Sequence, residues 1–459
     1  MLYTETPTVH MHTLKVAIID LEDADQHYGI EEFRHVIADR LYRLEPFRYS
    51  LVDMPMGFHH PMWRENAELD LEYHIRLAHA AEPGGRRQLD DVIGDIASTP
   101  LDRTKPLWEL YLVLGLQDNR AAVVCKIHHA LADGVAAANL MAKGMDLDGG
   151  DVGPDIQAEP MPSTPQLWRA AMEDHLRQMK RLPSVMGYTL GTRTRVREHN
   201  RSLSKDLMWP FTPPATFINH GLDARRRFAS ASLSLDDVKA TAKALEVTIN
   251  DMVLALSAGG LRRLRLQYDG RADERLLASV PVSFDNSPDR LSGNRFSGML
   301  VPLASDLEDP LERVRAARHA AQTAKENHRL LGPELITRWS DYMPPAPTAA
   351  AFRWLSRRDA RNKIFTLPVS NVRGPRVRGR VNGFVISEIY SVGPLTAGSG
   401  LNITVWSYAD QLSISVLADG RTAADPHELT DAMIADFRDI RDAAGLDDAL
   451  RTPEGVMAP

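Results

Sequence analysis

Residues 126–141 read KIHHALADGVAAANLM and hold the side chains best suited to chemistry. His128 and His129 are adjacent, and Asp133 and Gly134 follow a few residues on. An imidazole with an ordinary pKa near 6.5 can accept a proton at neutral pH. Neighbouring positions on an extended strand point to opposite faces, so only one of the two rings can face a given reaction centre. The same divergence argues against His128, His129 and Asp133 acting together as metal ligands, and no metal is expected. Asp133 stands where a strand-like run gives way to a helix-like one. There its carboxylate can cap backbone N–H groups or pair with a cation. Gly134 permits a tight turn or a close backbone approach. A hydrogen-bonded core pair is the plainer reading of two histidines, and a second pair, His59-His60, lacks the following Asp-Gly. No GxSxG, HExxH, P-loop or GxGxxG motif occurs.

The elements that must position these residues follow from apolar periodicity. LKVAIID (14–20) and AAVVCKI (121–127) predict strands, the second leading into the histidine pair. Residues 29–44 and GVAAANLMAKGM (134–145) carry helical spacing. Residues 147–165, dense in Gly, Pro and Asp, read as a linker. Beyond it Trp168, Met172, Leu176, Met179, Leu182, Met186 and Leu190 recur at helical steps, with Pro183 as a kink. Eight Lys/Arg face three Asp/Glu between Arg169 and Arg201. Residues 235–247 and 248–266 read as helices, and 276–284, 298–304, 401–408 and 411–418 as strands. The two kinds do not alternate strictly, so the expected class is α/β with mixed sheets. The expected division is an N-terminal lobe 1–146, a linker and helical connector 147–212, and a C-terminal lobe 213–459.

Bulk properties narrow the function. A chain of 459 residues, 44% hydrophobic and 25% charged, predicts a packed protein with more than one small core. The formal net charge of −7 argues against general nucleic-acid binding. Cys125 is the single cysteine, which excludes an intrachain disulfide or a CxxC site and fits a reducing compartment. The opening residues lack the basic-then-apolar pattern of a signal peptide, and no apolar run is long enough to span a bilayer. A cytoplasmic protein is expected, with any contact to the inner membrane face or lipid droplets peripheral.

HHxxxDG, formed here by His128, His129, Asp133 and Gly134, resembles the signature of the CoA-dependent acyltransferase superfamily. That group includes chloramphenicol acetyltransferase and peptide-synthetase condensation domains. Six further stretches extend the likeness: PLWE (106–109), Asn250-Asp251, SVPVSF (279–284), GNRFSGMLVPL (293–303), SNVRGP (370–375) and GLNITVWSYADQLSISVLAD (400–419). With them nearly the whole chain resembles the bacterial, mycobacterial-type wax ester synthase / acyl-CoA:diacylglycerol acyltransferases. Two departures stand out. Arg373 replaces a usual proline, and the family's Ser-Pro-Asp opening does not precede the first strand.

The resemblance implies two chloramphenicol-acetyltransferase-like lobes with the active site in a channel between them. It implies transfer of a long-chain acyl group from acyl-CoA to diacylglycerol or a fatty alcohol, with acyl-CoA as substrate and no cofactor. His129 is then the general base, and His128, Asp133 and Gly134 shape the site. Asn250 is a candidate oxyanion donor beside Asp251, although Thr248-Ile-Asn-Asp251 equally reads as a helix capping box. Trp108 lines the channel or lies in the core. Arg225, Arg226 and Arg227 are candidate contacts for CoA phosphates. Segments 167–201 and 349–363 lie against an anionic membrane or lipid droplet, or pack on their own protein. Two rival readings stay open: an HHxxxDG acyltransferase using another alcohol, and a catalytically silent lipid-binding paralogue.

Overall fold

The strand of residues 12–20 is buried along almost its whole length, a pattern that needs a sheet partner on each side and packing on both faces. The computed structural model supplies both, and it describes residues 1–21, 29–145, 157–202, 213–332, 334–356, 361–446 and 448–457. Parts of the expected linker, connector and second surface segment (147–156, 203–212 and 357–360) lie outside the described residues.

The first half of the chain forms β1 (His12–Asp20), α1 (Ile30–Arg40), β2 (Ser50–Val52), β3 (Met62–Arg64), α2 (Leu71–His74), β4 (Ile75–His79), α3 (Arg86–Ser98), β5 (Trp108–Leu116), β6 (Arg120–His128) and α4 (Gly134–Gly144). The long helix α5 (Thr164–Ser202) connects the halves and continues through Pro183. Then come β7 (Arg226–Ser234), α6 (Leu235–Ala244), α7 (Ile249–Tyr268), β8 (Leu276–Ser283), β9 (Phe296–Leu303), α8 (Pro310–Leu331), α9 (Leu335–Ser340) and α10 (Pro345–Ser356). The chain closes with β10 (Leu367–Arg373), β11 (Arg380–Val381), β12 (Phe384–Val392), β13 (Leu401–Tyr408), β14 (Gln411–Asp419) and α11 (His427–Ala443).

Two six-stranded sheets result, in the orders β11-β12-β1-β6-β5-β4 and β7-β14-β13-β10-β8-β9. Both are mixed: β4 runs parallel to β5, and β10 runs parallel to β13 and β8. The α/β class with mixed sheets is therefore what the chain adopts. The sheets do not follow the expected boundaries, however. β11 and β12 belong to the stretch assigned to the C-terminal lobe, yet they complete the first sheet. The reason is β1 itself, which takes antiparallel partners on both sides, β6 and β12.

The cores form on the sheet faces. In the second lobe α7 and α11 pack closely: a Cβ at Gly259 would stand 2.1 Å from the Asp436 carboxylate, so only glycine fits. Between the lobes, Arg86 of α3 is buried and donates to Tyr390 Oη at 2.8 Å, to Ser230 Oγ at 3.2 Å and to both Glu388 carboxylate oxygens at 3.0 and 2.7 Å. Asp90, one turn further, accepts from the Ser230 N–H at 2.8 Å and meets His427 Nε2 at 2.9 Å.

Candidate active site

β6 and β1 are in antiparallel register, with His128 opposite His12. The ladder runs one residue beyond the strand, because the His129 N–H donates to the Met11 carbonyl at 2.7 Å. The chain then turns, closed by the Leu131 N–H to the His128 carbonyl at 2.9 Å. Strand alternation sends the two rings to opposite sides, as expected.

His128 is fully buried. Its Nδ1 accepts the Ala130 N–H at 3.0 Å, so the ring proton sits on Nε2, which lies 3.5 Å from Glu5 Oε1. Burial pushes the Glu5 carboxyl up, but the His128 ring facing it, the Met11 N–H and the charge of Arg103 outweigh it and hold its pKa below the ordinary value. His128 thus braces the turn.

His129 is partly exposed and faces the second lobe. Its Nδ1 lies 3.1 Å from Asn294 Oδ1, and its ring is 5.6 Å from that of Phe296. Asn294 Nδ2 donates to the carbonyls of His129 at 2.9 Å and Ala130 at 3.2 Å. Those carbonyls can only accept, so they fix which end of the amide is nitrogen. The oxygen must then face Nδ1, which carries the ring proton, and Nε2 keeps a free lone pair. Burial lowers the pKa of His129 below the ordinary histidine value, against the opposing pull of its own carbonyl, Asn294 and Asp133.

Asp133 caps α4: its Oδ1 accepts the N–H groups of Val135 and Ala136, both at 3.0 Å. The same oxygen takes Arg290 Nη2 at 2.8 Å, and Oδ2 takes the Arg295 N–H at 2.8 Å. Burial raises its pKa, but these donors more than reverse that, and the carboxyl lies below its usual range. One residue therefore caps a helix and fastens the loop between β8 and β9 onto the histidine turn. Gly293 completes the crossing, donating to the Leu131 carbonyl at 2.7 Å and accepting from the Asp133 N–H at 3.1 Å. Its φ of 79° lies in the left-handed region, where glycine is favoured. Gly134 has no such need: a Cβ there would meet only Val372 Cγ2, at an ordinary 3.8 Å, so the expected tight turn belongs to Gly293 instead.

No described hydrogen bond links the other candidates to His129. Trp108 is fully buried, stacked between Phe47 at 4.5 Å and His74 at 4.3 Å, with Nε1 donating to the Phe47 carbonyl at 2.7 Å. It is a core residue. Glu109 beside it is buried against Lys126 and Arg76, each at 3.2 Å. Asp251 returns to the Thr248 N–H at 2.9 Å, and Thr248 Oγ1 accepts the Asp251 N–H at 3.2 Å. That is the capping box, and none of the described hydrogen bonds joins Asn250 or Asp251 to His129. Arg226 is buried, 3.5 Å from Asp419, its pKa lowered to about 10 by burial. It is unavailable to a phosphate, because alternation on β7 turns it inward between Arg225 and Arg227. Arg227 donates to the Ala424 carbonyl and Arg225 is exposed. Asn294 and Arg290 were not singled out by sequence reasoning, although Asn294 lies inside the GNRF stretch.

Two mixed-sheet lobes, with HHxxxDG on the loop where they cross, make the fold of the chloramphenicol-acetyltransferase-like acyltransferases. A family model described as the wax ester synthase/diacylglycerol acyltransferase catalytic domain matches residues 1–253, and the corresponding C-terminal domain matches residues 292–441. The chain belongs to the wax ester synthase/diacylglycerol acyltransferase family. It is 61% identical over 459 residues, covering 100% of this chain and 97% of the relative, to a protein of Mycobacterium tuberculosis strain H37Rv that carries the name putative diacylglycerol O-acyltransferase. It is similar to the solved wax ester synthase/diacylglycerol acyltransferase from Marinobacter aquaeolei VT8, with a TM-score of 0.68, 25% identity and 97% of each chain covered. A condensation domain of the calcium-dependent antibiotic synthetase shares the fold alone, with a TM-score of 0.58 at 15% identity over 97% of this chain and 95% of that one.

Proposed function

We infer that the protein transfers a long-chain acyl group from acyl-CoA to the hydroxyl of diacylglycerol, and also accepts fatty alcohols, with His129 as general base. The observation that carries this reading is the hydrogen bond from His129 Nδ1 to Asn294, which leaves Nε2 unprotonated. Nε2 takes the proton of the acceptor hydroxyl as its oxygen attacks the thioester carbon. The tetrahedral intermediate collapses to the ester, the C–S bond breaks, and the proton passes from Nε2 to the departing thiolate. Ester and free CoA balance the reaction, no acyl-enzyme forms, and no cofactor is needed. A positioned base contributes about 10²–10⁴-fold to such a step.

The acceptor is a lipid, and α5 offers a surface suited to one. Met172, Met179 and Leu190 are 52%, 61% and 61% exposed, while Leu167, Ala171 and Val185 on its other side are buried. Exposed Arg169, Lys180 and Arg193 flank the apolar stripe, a pattern suited to an anionic lipid surface. Among the described residues no single helix is long and apolar enough to cross a membrane.

Purified protein given palmitoyl-CoA and a diacylglycerol should release free thiol and form triacylglycerol. His129→Ala should lower kcat/KM by about 10²-fold or more with the fold intact by circular dichroism. Turnover of the variant near the wild-type rate would remove His129 as the base.

A further inference from the structure

Inside the first lobe, between the sheet and helices α1 and α4, lies an apolar cavity of about 680 Å³ counted out to solvent. One wall is the face of β6 that carries Val123, Cys125 and Ile127, and the opposite wall is the face of α4 with Ala137, Met141 and Gly144. Lys15 also reaches the cavity, but its ammonium group is committed to Ser391 Oγ and lies 4.9 Å from the centre of the Trp406 ring. It therefore presents its methylene stem to the space rather than an available charge.

The register ties this cavity to the histidine. Val123, Cys125 and Ile127 are alternate positions of one strand face, and His129 is the next position in that alternation, held on the extended ladder by Met11. α4 starts at the Asp133 cap beside His129 and runs back along β6. Ala137 therefore stands at the histidine end of the cavity and Gly144 at the far end. Seven residues of helix separate them by roughly 10 Å. An extended hydrocarbon advances about 1.3 Å per carbon by ordinary bond lengths and angles, so that separation is about eight carbons. The space between one strand face and one helix face suits a single unbranched chain rather than a branched glyceride.

We propose that this cavity holds the acyl chain of the donor and that α4 grades it by length, Ala137 meeting the chain near the thioester and Gly144 meeting it about eight carbons deeper. The proposal rests on the acyl-transfer reading above. Gly144 makes it testable without disturbing the backbone. It is helical, its φ is not left-handed, and a Cβ there would meet nothing within 4 Å. A larger residue would project into the cavity and would also suit a helix better than glycine does.

The test is kcat/KM for octanoyl-, lauroyl- and palmitoyl-CoA with one fixed acceptor, for wild type, Gly144→Leu and Ala137→Leu, each checked for an unchanged melting transition. Gly144→Leu should lower the palmitoyl value about tenfold or more relative to the octanoyl value, on the scale of an excess group in an apolar pocket. Ala137→Leu should lower all three donors alike. If wild type transfers palmitate and the donor profile of Gly144→Leu stays unchanged, the cavity is not the acyl site and the enzyme reading stands. A change in acceptor KM with the donor profile unmoved would assign the cavity to the acceptor and overturn the proposal. If wild type releases no thiol from any donor, the acyl-transfer reading fails and takes the proposal with it.

Discussion

A carboxylate behind the base would pull a histidine pKa upward. Asn294 is neutral, so burial prevails and the pKa of His129 falls below its ordinary value. As the proposed base, His129 acts when unprotonated. The acid limb of kcat/KM should therefore lie below pH 6.5, with activity flat above it until another group titrates. Asn294→Asp adds a negative charge at the Nδ1 side and should move that limb to higher pH. Asn294→Ala removes the preference for one ring tautomer and should cost about tenfold or more in kcat with little change in KM. A pH–rate series on the three proteins checks this, and an acid limb at the same pH in Asn294→Asp would show that the amide does not govern the ring. The histidine loop itself was readable: alternation in AAVVCKI assigned opposite faces to His128 and His129, and Asp133 read as a cap. Asn294 was not readable as a partner, since 165 positions separate it from His129 and periodicity carries no information about pairs that distant. Arg226 misled for a local reason. Three arginines in a row look like a basic patch, but on a strand the middle one points inward.

Among the elements, α5 was legible as a helix and only half legible as a surface. Its apolar spacing predicts a stripe, but spacing alone cannot say whether the stripe is covered. In the fold the covered side is Leu167, Ala171 and Val185, and Met172, Met179 and Leu190 remain exposed. A double substitution, Met179→Glu with Leu190→Glu, should abolish most flotation of the protein with phosphatidylglycerol vesicles while leaving its circular dichroism unchanged. Flotation should also weaken as salt rises, because the flanking arginines act through screened charge. Undiminished flotation of the double variant would place lipid contact elsewhere. In the second sheet β8, β9, β13 and β14 were read as strands, β7 and β10 were not, and no strand order was read. Side-chain periodicity reports which face is buried and says nothing about which strand lies alongside.

On the scale of the whole molecule the lobes are joined by buried charge as well as by apolar contact. Arg86, Glu388, Tyr390, Ser230 and Asp90 bring together α3, β12 and β7. Arg86→Met would leave Glu388 buried without its cation, a loss of about 3–5 kcal/mol for a broken buried pair. Chemical denaturation of the variant should show it, and a loss under about 1 kcal/mol would mean that the ion pair contributes little beyond packing. The interleaving of the sheets has its own outcome during synthesis. When the ribosome has made β1 and β6, the remaining flank of β1 must wait for β12, some 260 residues later. At about 5–20 residues per second that interval is on the order of ten to fifty seconds. Throughout it the nascent chain carries an apolar strand with one unpaired edge, the kind of edge that recruits chaperones or seeds aggregation. Expressed alone, the first 146 residues should precipitate, and supplying the rest of the chain in the same cell should rescue them.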